Sequence, residues 1–188
     1  MDLKSAIVTG GGSGVGREVA RQLAAKGWRV AVIGRRPKPL EETASLAAPG
    51  QIRAEPCDVV DVAAVRAVRD RIQKDWGAVD AVVAAAGTNV VKRGWLDVPP
   101  EDVRQLIEIN LLGAFNVVQA FLPLMKGRDA ATVVTVISDA GVMANAKAGV
   151  GYVASKFGLT GLTESLNVEL REQGIRATAV CPGDIDTT

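Results

Sequence analysis

Short apolar runs alternate along the chain with longer stretches in which apolar residues recur three and four positions apart. The runs SAIVT (5–9), RVAVIG (29–34), IRAEPC (52–57), VDAVVAAA (79–86), ATVVTVI (131–137) and IRATAVC (175–181) have the length and β-branched content of buried strands. The stretches GREVARQLAAKG, VAAVRAVRDRIQKDWG, PEDVRQLIEINLLGAFNVVQAFLPLMKG and YVASKFGLTGLTESLNVELREQG lie between them and predict helices that stop near glycine. A shorter helix is expected after the second strand. Strands without polar alternation, each followed by a helix, predict right-handed crossovers and a parallel sheet covered on both faces: an α/β, doubly wound, Rossmann-like fold. Residues 1–188 show neither an internal repeat nor a linker, so a single domain is expected. In such sheets ligands sit at the carboxyl ends of the strands, and the chemistry is sought there.

Composition narrows the function. With 22 basic and 21 acidic residues the net charge is +1, which gives no electrostatic footprint for nucleic acid or an anionic membrane. No uninterrupted apolar run suggests a membrane span, and nothing at the start reads as a signal peptide, so a cytoplasmic protein is expected. Cys57 and Cys181 lack metal-ligand spacing and lie in or at the end of apolar runs; they read as reduced, largely buried residues. No metal is expected.

TGGGSGVG (9–16) follows the first strand and opens the first helix. Glycines there let the backbone approach a pyrophosphate and aim helix N–H groups at it. The motif is not a triphosphate loop, because Gly16 is followed by Arg17 and Glu18 instead of Lys-Ser/Thr. About 20 residues on, NAD-binding folds usually place an acid for the ribose hydroxyls. Here Gly34 stands there, followed by Arg35 and Arg36. Guanidinium forks without a repelling carboxylate favour a 2′-phosphate, and hence NADP(H) over NAD(H).

The chain has no histidine, and its one tyrosine, Tyr152, is followed four positions later by Lys156. On a helix the two share a face. A nearby ammonium is expected to draw the phenol's pKa down towards neutrality, which would let tyrosine act as the general acid and base.

Taken in order, Thr9 to Gly16, Asp58 after the third strand, Asn110, Ser138, Tyr152-x-x-x-Lys156 and Pro182-Gly183 after the sixth strand resemble the single-domain short-chain dehydrogenase/reductase family over essentially the whole chain. The resemblance implies hydride transfer between a nicotinamide cofactor and a small ketone, aldehyde or alcohol. It implies that Tyr152 exchanges a proton with the reacting oxygen. Lys156 then tunes that tyrosine and holds the nicotinamide ribose, Ser138 hydrogen-bonds the reacting oxygen, and Asn110 holds a relay water. It further implies a cofactor groove of Thr9, Gly10, Ser13, Gly14, Val15 and Gly16 around the pyrophosphate, and Asp58 and Val59 at the adenine. Ala86 and Gly87 follow beneath the cofactor, with Pro182, Gly183, Ile185 and Thr187 beside the nicotinamide. Family members are commonly tetramers, and alanine-, glycine- and leucine-rich 151–172 could pair across a twofold axis in a tetramer or dimer.

Two departures stand out. Ala84-Ala85-Ala86-Gly87 replaces the family's usual Asn-Asn-Ala-Gly, removing side-chain hydrogen bonds from the sheet centre. The sequence stops just after the sixth strand, where members of that family continue with a substrate-covering segment, another helix and a seventh strand; a longer protein is the expectation. Substrate identity, whether 3-oxoacyl thioester, sugar, steroid or xenobiotic ketone, is left open. The other reading is an NADP-binding regulator without turnover.

Overall fold

The six apolar runs become six strands of one parallel sheet, and the helical stretches become its crossovers. A computed structural model describes residues 3–185. The strands are β1 (Ser5–Thr9), β2 (Arg29–Gly34), β3 (Ile52–Pro56), β4 (Ala81–Ala84), β5 (Ala131–Val136) and β6 (Ile175–Val180). The helices are α1 (Gly14–Ala25), α2 (Pro37–Ala44), α3 (Val62–Trp76), α4 (Pro100–Ile107), α5 (Gly113–Met125) and α6 (Val150–Leu170). The order β3-β2-β1-β4-β5-β6 reverses direction between β1 and β4, the position where a doubly wound sheet opens a crevice.

Alternation along each strand feeds two cores. In β1, Ile7 joins one cluster with Ile33, Val82, Val117 and Phe121, under α3 and α5. Its neighbour Val8 points the other way, into a cluster with Ala20, Ala24, Val32 and Leu40 beneath α1 and α2. Phe121 is fully buried, so truncation to alanine would cost about 3–5 kcal/mol.

Local chemistry sets the ends. Asp61 caps α3 by accepting from the Ala64 N–H at 3.0 Å, and Gly77, at φ +77°, closes it. The fourth run is shorter as a strand than its apolar length suggests. Asp80, inside that run, is buried as a clasp for the Ser5 N–H (2.8 Å) and the Arg128 guanidinium (2.8 Å). At its other end, the Ala85 and Ala86 N–H groups turn to the Thr9 hydroxyl (3.0 and 2.9 Å). Thr9 thereby supplies hydrogen bonds at the sheet centre where the alanines have none to offer.

The long stretch 100–127 is helical but not uniform: a π-helical turn, Glu108–Leu112, joins α4 to α5 and contains Asn110. The most apolar window of Pro100–Met125 has mean hydropathy 1.4 and is 39% buried. Length and composition would allow it to cross a membrane, although polar residues interrupt its apolar run; Val117, Val118, Phe121 and Met125 on this stretch belong to the sheet core.

Cys57 is buried, as expected, whereas Cys181 is exposed. The correction follows from topology: β6 pairs only with β5 among the described residues, and its last residues, Thr178 to Val180, lie open.

Candidate active site

The glycine turn after β1 is as tight as its sequence suggests. Gly10 takes φ +66°, and a Cβ there would lie 2.9 Å from the Ala85 carbonyl oxygen. A Cβ on Gly16 would lie 2.5 Å from the Gly10 oxygen, so the turn and the first turn of α1 interlock only without side chains. Ser13 is the N-cap, yet its hydroxyl makes no capping bond and no acid occupies the first helical turn. The N–H groups of that turn are therefore left for an anion. Two residues not singled out from sequence brace the turn from behind. Arg17 donates to the Gly12 carbonyl (2.6 Å) and to the Thr43 hydroxyl (3.1 Å), and Thr43 donates to the Gly11 carbonyl (2.8 Å). An arginine and a threonine in separate helices give no local signal of such a role.

Beside the turn lies a cavity of about 190 Å³ lined by Gly10, Gly12, Ser13, Gly34, Arg35, Arg36, Asp58, Val59, Ala86 and Gly87, among others. Both arginines are exposed and form no ion pair among the described residues. Asp58 accepts from the Val60 N–H at 3.1 Å, and Asn116 holds the Val59 carbonyl at 3.0 Å. Thr9 lines neither this cavity nor the next. It is 1% exposed and its oxygen is committed to Ala85 and Ala86, so it shapes the groove without facing it.

A larger cavity of about 1030 Å³ shares Gly10, Ser13, Gly87 and Thr88 with the first. It is lined also by Gly14, Val15, Gly16, Ser138, Asp139, Tyr152, Lys156, Pro182, Gly183 and Ile185. Thr187 lies outside the described residues. The shape and chemistry fit a dinucleotide: a bare helix N-terminus at the middle, two unpaired guanidinium groups at one end, and Tyr152 and Lys156 at the other.

Tyr152 and Lys156 sit about one turn apart on one face of α6, with the ammonium 5.5 Å from the centre of the phenol ring. Lys156 is 4% exposed and donates to the Val136 carbonyl at the end of β5 (2.9 Å). Burial pulls its pKa down to about 8. The expected lowering of the tyrosine is not found. Burial pushes the Tyr152 phenol above its ordinary value; the Ser138 hydroxyl pulls it back, and the negative charge of Asp139 adds to the rise. The lysine's charge is spent on a carbonyl, so desolvation of the phenol prevails.

Ser138 donates to Asp139 Oδ1 (2.8 Å) and accepts from the Ala140 N–H (3.2 Å). The turn that carries it is pressed onto α6: a Cβ on Gly141 would lie 2.8 Å from the Lys156 carbonyl oxygen, and Thr160 donates to the Gly141 carbonyl (2.9 Å). Asn110 is fully buried. Its amide donates to the Thr88 carbonyl (3.0 Å) and to Ser155 Oγ (3.1 Å), and its oxygen accepts from the Thr88 N–H (2.8 Å). Both amide protons are thus used within the protein, leaving one acceptor position on the oxygen. Ser155, not picked out from sequence, continues the chain by donating to the Tyr152 carbonyl (2.7 Å). Its only signal was a small polar residue next to Lys156.

Comparison with known proteins places this geometry. The family model described as short chain dehydrogenase matches residues 4–188. A 3-dehydrosphinganine reductase of Arabidopsis thaliana is 35% identical, over 98% of this chain and 56% of that protein, so the chain spans little more than half of that relative's length. The D-beta-hydroxybutyrate dehydrogenase of Cupriavidus necator is 34% identical, over 96% of this chain and 70% of its own. Among solved structures, a short-chain dehydrogenase from Streptomyces avermitilis superposes with a TM-score of 0.92 at 30% identity, covering 100% of this chain and 68% of that one. The match over nearly every residue and the shared fold lead to one conclusion: the chain belongs to the short chain dehydrogenase family.

Proposed function

We propose that this chain interconverts a carbonyl compound and its alcohol with NADP(H), using Tyr152 as the proton donor and acceptor. One observation carries the reading: Ser138, Tyr152 and Lys156 line a single cavity that is continuous with the groove of the glycine turn. When bound, the reduced nicotinamide supplies the hydride. In reduction, Tyr152 gives its proton to the substrate oxygen; a phenol held above its ordinary pKa by burial is protonated at neutral pH and ready to do so. Ser138 fixes the orientation of that oxygen. Lys156, at about 8, can restore the phenol's proton without being locked in either charge state. Arg35 and Arg36 support NADP(H) because no carboxylate at Gly34 opposes a 2′-phosphate.

Relatives act, by their names, on a hydroxy acid, a dihydrodiol acid, a sphingoid ketone and a steroid, and do not converge on one substrate. Exposed apolar side chains on the π-helical turn (Leu112), on α5 (Phe115) and on α6 (Phe157 and Val168) support self-association into a dimer or tetramer. The test of the activity is NADPH and NADH oxidation across a panel of ketones, with Tyr152→Phe alongside. Turnover that drops about a hundredfold or more in the variant supports the reading. Dinucleotide binding without turnover on any ketone would replace it with a sensor.

A further inference from the structure

The large cavity has a cationic wall that the redox chemistry does not use. Arg93 comes from the loop after β4 and Lys147 from the loop before α6, and both line the space that holds Ser138 and Tyr152. Six other arginines, at 17, 21, 53, 69, 71 and 128, are engaged by carboxylates. Arg93 and Lys147 have no ion-pair partner among the described residues. The main chain that carries them is nevertheless held in place. The Arg93 carbonyl accepts from the Val150 N–H at 3.1 Å, tying the loop to the first turn of α6. Gly149, at φ +83°, makes room for it: a Cβ there would collide with the Arg93 stem and lie 2.6 Å from its carbonyl oxygen. Asn89 donates to the Ala148 carbonyl (2.9 Å), and Asn145 accepts from the Lys147 N–H (2.9 Å), so both loops are laced together at the cavity mouth.

The cavity's two carboxylates do not cancel this wall. Asp139 is already engaged by Ser138 and by the Ala140 N–H (2.7 Å), and Asp184 lies on the β6 side beside Gly183. The N-terminus of the 21-residue helix α6 opens without an acid in its first turn, adding positive potential at the same mouth. Gly149, against which Arg93 packs, precedes Tyr152 by three residues, an axial rise of about 4–5 Å. An anion gripped by the two side chains would share the cavity with an oxygen held by Tyr152.

We propose that Arg93 and Lys147 clamp an anionic group on the substrate, so that this site takes carbonyl compounds bearing a carboxylate or phosphate close to the reacting carbon. The inference rests on the redox reading above and deepens it by naming the substrate class. A guanidinium fork paired with a point-charge ammonium suits either oxyanion.

Matched substrate pairs test it, with NADPH and NADH each at saturation: acetoacetate against methyl acetoacetate, and dihydroxyacetone phosphate against dihydroxyacetone. In the wild type the charged member of one pair should be favoured about tenfold or more in kcat/KM, chiefly through KM, and which pair shows it separates carboxylate from phosphate. Arg93→Gln with Lys147→Gln should erase the ratio, Arg93→Lys should retain part of it, and added salt should compress it. Equal use of both members of each pair, or a ratio unchanged in the double variant, overturns the clamp while leaving the redox reading intact. If no carbonyl compound is turned over, the redox reading fails instead. Calorimetric titration with acetoacetate and with inorganic phosphate then judges the clamp, which stands if one binds the wild type and not the double variant, and falls otherwise.

Discussion

Asn110 and Ser155 are 45 residues apart in sequence, wholly buried, and joined by a 3.1 Å hydrogen bond from the asparagine amide to the serine hydroxyl. Through that bond the π-helical turn between α4 and α5 is connected to the main chain of Tyr152. Replacing Asn110 by alanine leaves the Thr88 N–H and carbonyl and the Ser155 hydroxyl short of a partner. The expected cost is about 2–4 kcal/mol in denaturant unfolding, with Ser155→Ala losing less. An Asn110→Ala protein as stable as the wild type would show that the network is not needed for the fold.

Lys156 makes stability depend on pH. Its pKa falls from 10.5 in the unfolded chain to about 8 when buried, so the folded state is penalised whenever the lysine must carry a proton. That penalty is complete below pH 8 and fades as pH rises towards 10.5. Compared with Lys156→Met, which cannot titrate there, the wild type should gain about 3 kcal/mol between pH 7 and pH 10.5. Unfolding curves for both proteins across that window give the difference directly, and parallel curves would contradict it.

Asp139 holds the proton of Ser138 and raises the neighbouring phenol. Asp139→Asn keeps an acceptor for Ser138 and removes the charge, so the Tyr152 pKa should fall. In the proposed reaction alcohol oxidation uses the deprotonated phenol, so the rise of its rate with pH should begin at lower pH in the variant. The pH profile of oxidation is the measurement; an unmoved rise would mean that the carboxylate does not act on the tyrosine.

Gly16 touches the Gly10 carbonyl so closely that even alanine forces the turn open. Gly16→Ala should weaken dinucleotide binding by about tenfold or more and lower stability by about 1–3 kcal/mol. Titration of NADPH fluorescence and a melting curve read the two effects separately.

The role proposed for Arg35 and Arg36 concerns the choice of cofactor. Substituting both by alanine should raise the dissociation constant for NADPH by about ten- to a hundredfold, as expected for the loss of charge-assisted bonds to one phosphate, and leave that for NADH near its starting value. Equal losses for both would assign the arginines to the fold or to a shared phosphate.

The sheet was legible in the chain because its central strands β1, β2 and β4 are buried on both faces, and a continuous apolar run such as RVAVIG has few other uses. Where a polar residue is recruited from afar the pattern misleads. Asp80 and the Ala85–Ala86 amides shorten the fourth strand by bonding to Ser5 and Thr9, contacts that no local window contains. The π-helical turn at Asn110 is likewise invisible in a stretch whose apolar spacing looks helical throughout. The placement of Ser138, Tyr152 and Lys156 on one cavity followed from motif order. The electrostatics did not: spacing put an ammonium beside a phenol, whereas the fold turns that ammonium to a carbonyl and half-buries the phenol. Arg93 and Lys147 carried no signal at all, because each looks like an ordinary surface cation until the two loops meet.

The tether of Lys156 is a main-chain oxygen, that of Val136. Every amino acid provides such an oxygen, so no substitution at position 136 can delete the anchor by itself. The lysine is in this respect insulated from mutational drift at its own partner, and only a change in the path of the backbone at the end of β5 could release it.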